Sequence, residues 1–164
     1  MKISKNVHDI LMKHGSDIIR SEGMQSEKRF MQHGSTSVYA HSVAVACMSL
    51  YICRKLHLKV REKELVRGAL LHDYFLYDWH DPDPSHRLHG FYHASTALKN
   101  ADRDFALSDL EKDIIEKHMF PLNIRAPKYK ESAIVCIADK ICAVQETVID
   151  HSISMYSGVR QKIS

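Results

Sequence analysis

The sequence predicts an all-α, single-domain helical bundle. Apolar residues recur at helical spacing in one segment after another, and no run of alternating β-branched residues interrupts them. The 164 residues, 45% hydrophobic and 26% charged, also have the length and proportions of one ordinary globular domain.

Val7, Ile10, Leu11 and Ile18 define a first helix over 7–20, which Gly23 ends. A shorter helical piece is expected over 26–32. Gly34, Ser35, Thr36 and Ser37 read as a turn and N-cap, after which VYAHSVAVACMSLYICRKL runs apolar nearly all round, as a buried helix does. Another helix is expected from Glu62 to Tyr74, with Leu65, Val66, Ala69 and Leu70 inward and His72 and Asp73 at its end. The stretch YDWHDPDPSHRLHG, with Pro82 and Pro84 and no periodicity, reads as an irregular loop. Helical pattern returns over 91–100. It returns again from Ser108, three residues before Glu111 at capping-box spacing, to His118, and finally over 131–149. MFPLNIRAPKYK is a second loop.

A net charge of +3 is too mild for the basic stripe of a nucleic-acid polymer binder, though small phosphorylated ligands remain compatible. Cys47, Cys53, Cys136 and Cys142 stand singly in apolar stretches without a C-x-x-C pair, as core thiols in a reducing compartment would. The N-terminus lacks the apolar segment of a signal peptide, and no stretch approaches the roughly 20 apolar residues a bilayer requires. The expectation is a cytoplasmic protein with no membrane partner. An apolar face on the first helix suggests a homodimer.

Asp139 lies in AIVCIADKICAV, where a carboxylate costs several kcal/mol unless a cation or hydrogen-bond donors compensate it. For that residue alone a core salt bridge or cap is an equal explanation. His72 and Asp73 follow LVRGALL, and His41 opens a helix rich in Val, Ala and Met, where a lone histidine is usually a hydrogen-bonded core residue. Four such groups on separate apolar segments are harder to explain one by one. If the helices pack together, one divalent ion satisfies them all.

The ordered set YAHSVAVA, GALLHDY and IADK resembles the HD-domain metal-dependent phosphohydrolases, over about Gln32 to Glu146. The resemblance implies a helical domain over 35–150; residues 1–34 read as N-terminal helices packed on it, and 151–164 as a weakly ordered tail. It implies that His41, His72, Asp73 and Asp139 bind a metal that activates water for attack on phosphorus, with Asp73 also orienting or deprotonating that water. A nitrogen and oxygen ligand set suits Mn²⁺, Fe²⁺, Co²⁺, Ni²⁺ or Zn²⁺ better than Mg²⁺. Some HD proteins hold a second metal through later histidines, and His89 and His118 fall in that order, with His86 and His93 close enough to compete.

The chain departs from the HD-I-G-K form, since Tyr74, Phe75, Leu76 and Tyr77 follow the pair. It also lacks the marks of the cyclic-dinucleotide and guanosine-tetraphosphate hydrolases. Lys140, Arg87, Arg125, Lys128 and Lys130 are candidate phosphate contacts, with His33 and His93 as candidate pocket residues. Trp79, Tyr74, Tyr77 and Phe91 are candidates to stack on a base. The expected function is hydrolysis of a phosphomonoester or phosphodiester, of a nucleotide or another small phosphate ester, by metal-activated water. A regulatory module binding metal or nucleotide without turnover is the alternative, and dinuclear-iron oxygenase chemistry ranks below both.

Overall fold

The structure, a computed structural model, describes residues 5–33, 35–77 and 89–160, and the side chains of these except at 5, 33, 89–91 and 149–160. Among the described residues seven α-helices carry the fold: α1 (Lys5–Ile19), α2 (Glu22–Ser26), α3 (Val38–Lys55), α4 (Glu62–Leu71), α5 (His89–Asp104), α6 (Asp109–Lys117) and α7 (Lys130–Arg160). A 3₁₀ turn at Glu27–Arg29 leads into a small antiparallel hairpin of β1 (Met31–His33) and β2 (Thr36–Ser37), in which Met31 pairs with Ser37. No helix among the described residues is long and apolar enough to cross a membrane.

The buried helix α3 is the spine. The Ser37 hydroxyl caps it by accepting from the Ala40 amide at 3.2 Å, and Val45, Ala46 and Leu50 pack between α4 and α7. On α4, Glu62 and Glu64 stand in the first turn, where the helix dipole favours negative charge, and Leu65, Val66, Ala69 and Leu70 are all fully buried. Gly68 lets α4 and α6 cross closely, because a β-carbon there would meet the Ile114 side chain at 2.6 Å. The expected capping box at Ser108 and Glu111 starts α6.

Several expectations need correction. The helix predicted over 62–74 stops at Leu71, leaving His72 and Asp73 in the turn beyond it. Gly23 does not break the chain but lies inside α2, against the Tyr74 ring. The piece expected over 26–32 is the 3₁₀ turn and β1 instead. The last helix, expected over 131–149, runs as α7 from Lys130 to Arg160. The apolar face of α1 is covered within the chain: Val7, Leu11 and Ile18 are buried in its own core, with α1 packed on α3 and α4.

Candidate metal centre

Two histidines are aimed by the same local device. His72 and His118 each follow the last residue of a helix, α4 and α6, where backbone carbonyls lack helical partners. The Nδ1 of His72 donates to the Ala69 carbonyl and that of His118 to the Ile115 carbonyl, both at 2.8 Å. A carbonyl only accepts, so Nδ1 carries the proton, and in the neutral ring each Nε2 presents a lone pair. Both rings are buried, with centroids 4.9 Å apart.

Asp73 lies between two sets of donors. Its Oδ2 is 3.3 Å from His72 Nε2 and 3.8 Å from His41 Nε2, while its Oδ1 is 3.3 Å from His93 Nε2 and 3.4 Å from His118 Nε2. Asp139, from α7, closes the first set with Oδ1 3.0 Å from His41 Nε2 and 3.7 Å from His72 Nε2. The donor atoms of His41, His72 and Asp73 lie within 4.8 Å of one another, as do those of Asp73, His93 and His118. Asp73 is therefore placed to bridge two cation positions.

Burial alone would raise the carboxyls of Asp73 and Asp139, but the surrounding imidazoles outweigh it and hold both well below the usual carboxylate range. Burial would likewise lower His41, yet hydrogen bonds to Asp139 and Glu146 hold it up at about 9. His118, with burial dominant, is pushed down and stays neutral. The Nε2 atoms of His93 and His118 approach to 2.9 Å, a contact at which one proton at most can be shared. The donor chemistry fits a divalent transition metal: imidazole nitrogens, from which a metal can displace protons, and ionised carboxylates converge, and His72 Nε2 and Asp73 Oδ1 are buried without an aligned hydrogen bond.

The residues expected around the first ion, His41, His72, Asp73 and Asp139, come together, and His118 joins them. His93, expected to touch substrate, stands instead with His118 at the second position. The side chains of His89 and His33, all of Arg87 and Trp79, and the Phe91 side chain lie outside the described residues. Lys140 does not reach the carboxylates: its Nζ donates to the His118 carbonyl at 3.1 Å and to the Cys136 carbonyl at 3.3 Å. Arg125 is exposed and bonded to Glu116 at 3.0 Å. Lys128 sits over the Tyr129 ring, and Lys130 bonds the Lys59 carbonyl. Tyr74 is a core residue whose hydroxyl donates to Asp104 at 3.0 Å, so it cannot stack on a ligand. Tyr77 remains half-buried, its ring 5.0 Å from that of Phe75, which in turn packs edge-on to His93.

Three contributors escaped the sequence reading. Glu146 accepts from His41 Nδ1 at 3.0 Å, the outer carboxylate that fixes a ligand histidine's tautomer. Its position seven residues after Asp139, two turns along one helix face, was the available signal. Gln32, in β1, donates from Nε2 to Asp73 Oδ2 at 2.6 Å, and Glu27 is buried nearby. Neither carries a pattern. A cavity of about 900 Å³ between α3 and α7 touches the centre only through Glu146 and is otherwise lined by residues such as Val43, Met48 and Val144, which offer a phosphate no cation.

The family model for the HD domain matches residues 38–144, more than half of the chain. The chain belongs to the HD domain family. Membership places it in a superfamily of metal-dependent hydrolases built on a helical fold, in agreement with the buried His and Asp groups able to hold a metal. No curated protein and no solved structure matches the chain.

Proposed function

We propose that this HD domain is a phosphohydrolase that cleaves a phosphomonoester or phosphodiester of a nucleotide or another small phosphate ester. One observation carries the reading: the two oxygens of Asp73 face two separate pairs of imidazoles. In this reading His41, His72, Asp73 and Asp139 hold one ion, and Asp73, His93 and His118 a second, drawn from Mn²⁺, Fe²⁺, Co²⁺, Ni²⁺ or Zn²⁺. When bound, such a metal lowers the pKa of water towards neutrality and neutralises charge on phosphoryl oxygens. The protein's part is to keep the Nε2 lone pairs inward, through the Ala69 and Ile115 carbonyls and Glu146, and to orient the attacking water at Asp73. Lys140, held on the His118 carbonyl, positions that ligand's turn rather than touching phosphate. Tyr77 is the described aromatic nearest to the task of stacking on a base.

The test is a panel of nucleoside monophosphates, nucleoside polyphosphates and simple phosphodiesters offered to Mn²⁺-loaded protein. Turnover that disappears in Asp139→Ala supports the reading, and a loaded protein inert across the panel contradicts it. The same bridging carboxylate favours a second reading, a dinuclear-iron oxygenase, because His93 and His118 do converge. Product formed by iron-loaded protein only in air would select it.

A further inference from the structure

The motif leaves Glu27 unexplained. It lies in the 3₁₀ turn ahead of the family-matched region, and its carboxylate is fully buried with neither oxygen hydrogen-bonded. Asp73 and His72 lie within electrostatic reach. Gln32 turns its amide nitrogen to Asp73 Oδ2 and leaves its own Oε1 buried without a partner. Buried acceptors without donors are rare because they are costly. Burial pushes the Glu27 carboxyl well up, and the charge of Asp73 adds to it, yet neither oxygen meets a partner. Buried polar atoms of Glu27, Gln32 and His72 are thus left without hydrogen bonds around one carboxylate, a set that an outside water or cation would satisfy. Glu27 belongs to neither group whose donor atoms lie within 4.8 Å of one another, so its role is not that of a ligand in either set.

We propose that Glu27, with Gln32, anchors a water against the cation position formed by His41, His72, Asp73 and Asp139, on the Oδ2 side of Asp73 that Gln32 already touches, and so acts as a positioning residue for the first ion. This rests on the metal centre described above. It assigns a role to a segment that the family pattern does not include, and it explains why the turn and hairpin before α3 are folded over Asp73.

The test is calorimetric titration of Mn²⁺ into metal-free parent, Glu27→Gln, Asp139→Ala to mark the event at the first position, and the surface control Glu116→Gln, with thermal melts of each metal-free protein. The parent is expected to show two events. In Glu27→Gln the event missing from Asp139→Ala weakens about 10–100-fold, as loss of an outer contact does, while the other holds. The metal-free Tm of Glu27→Gln stays level or rises, because a buried carboxyl without a partner has gone. A purely structural Glu27 gives the reverse, a lowered Tm with both events weakened alike, and that result overturns the proposal. So does parental affinity at both positions, or a parent with a single event that Glu27→Gln leaves unchanged. A parent that takes up no Mn²⁺ overturns the metal centre itself, and is distinguishable because the failure appears before any substitution.

Discussion

Two buried polar clusters lie within one bundle, and they are opposites. At the first, Arg67 of α4 donates from Nε to Glu111 at 2.8 Å and from Nη1 to Asp17 at 2.6 Å, while the second Glu111 oxygen accepts from the Ser108 amide. The chain supplies both the cation and the anions, and each charge has its partner. At the second cluster only protons hold the balance: ionised Asp73 and Asp139 meet imidazoles, His41 held up at about 9 among them, whose other nitrogens are already committed to carbonyls or to Glu146. Buried charge that the chain itself neutralises is architecture, whereas buried charge left for something external to neutralise marks a site.

That contrast can be broken experimentally. The largest effect is expected at Asp139→Ala, which should abolish ion binding at the first position and turnover with it, while the metal-free fold loses the His41–Asp139 pair, a cost that fades as pH rises through about 9. Calorimetry and denaturant melts check both halves. Arg67→Ala should act on the fold alone. It strands Glu111, which is 3% exposed, and should cost about 3 kcal/mol of unfolding free energy with metal affinity unchanged. If Arg67→Ala costs nothing, the supposed architectural cluster is not one.

Glu146→Gln is a finer probe. Its carboxylate fixes His41 from outside, so affinity for the first ion should fall about 10–100-fold without loss of the ion count at saturation. The pH dependence follows from His41. Its value in the metal-free fold, about 9, lies above the ordinary 6.5, so its ion pairs stabilise that fold fully below pH 6.5 and lose their effect as pH rises through about 9. A metal needs neutral rings, and Asp73 and Asp139 hold His72 up as well, against its burial, so Mn²⁺ binding at pH 7 should expel protons and its heat should vary with the buffer's ionisation enthalpy. A buffer-independent heat contradicts this. The smallest effect concerns the thiols. Burial raises Cys53 to about 11 and Cys142 to about 12, so both should react with a thiol reagent at pH 8 at least about tenfold more slowly than in unfolded chain.

How much of this could be read beforehand differs by element. Helical periodicity found α1, α3, α4, α6 and the first part of α7, because each buries an apolar stripe. His41, His72, Asp73 and Asp139 were legible because each is a charge or imidazole inside such a stripe. Lys140 was misjudged by adjacency: on a helix the next residue points about 100° away, and its amine turns to the His118 carbonyl. Whether His89 or His93 meets His118 depends on how α5 is rotated against α6, and the sequence carries no signal for that angle. Glu27 and Gln32 arrive through a 3₁₀ turn and a three-residue strand, elements too short for periodicity to register.

The central claim is that the second cluster takes up metal cations in place of the protons its imidazoles hold, whereas the first is complete without them. Elemental mass spectrometry of purified protein after incubation with Mn²⁺ or Fe²⁺, beside Asp73→Ala, tests it most directly. The account predicts about two transition-metal ions per chain in the parent and none in the variant, because Asp73 serves both positions. A parent that retains no metal, or an Asp73→Ala protein that retains as much as the parent, would contradict it.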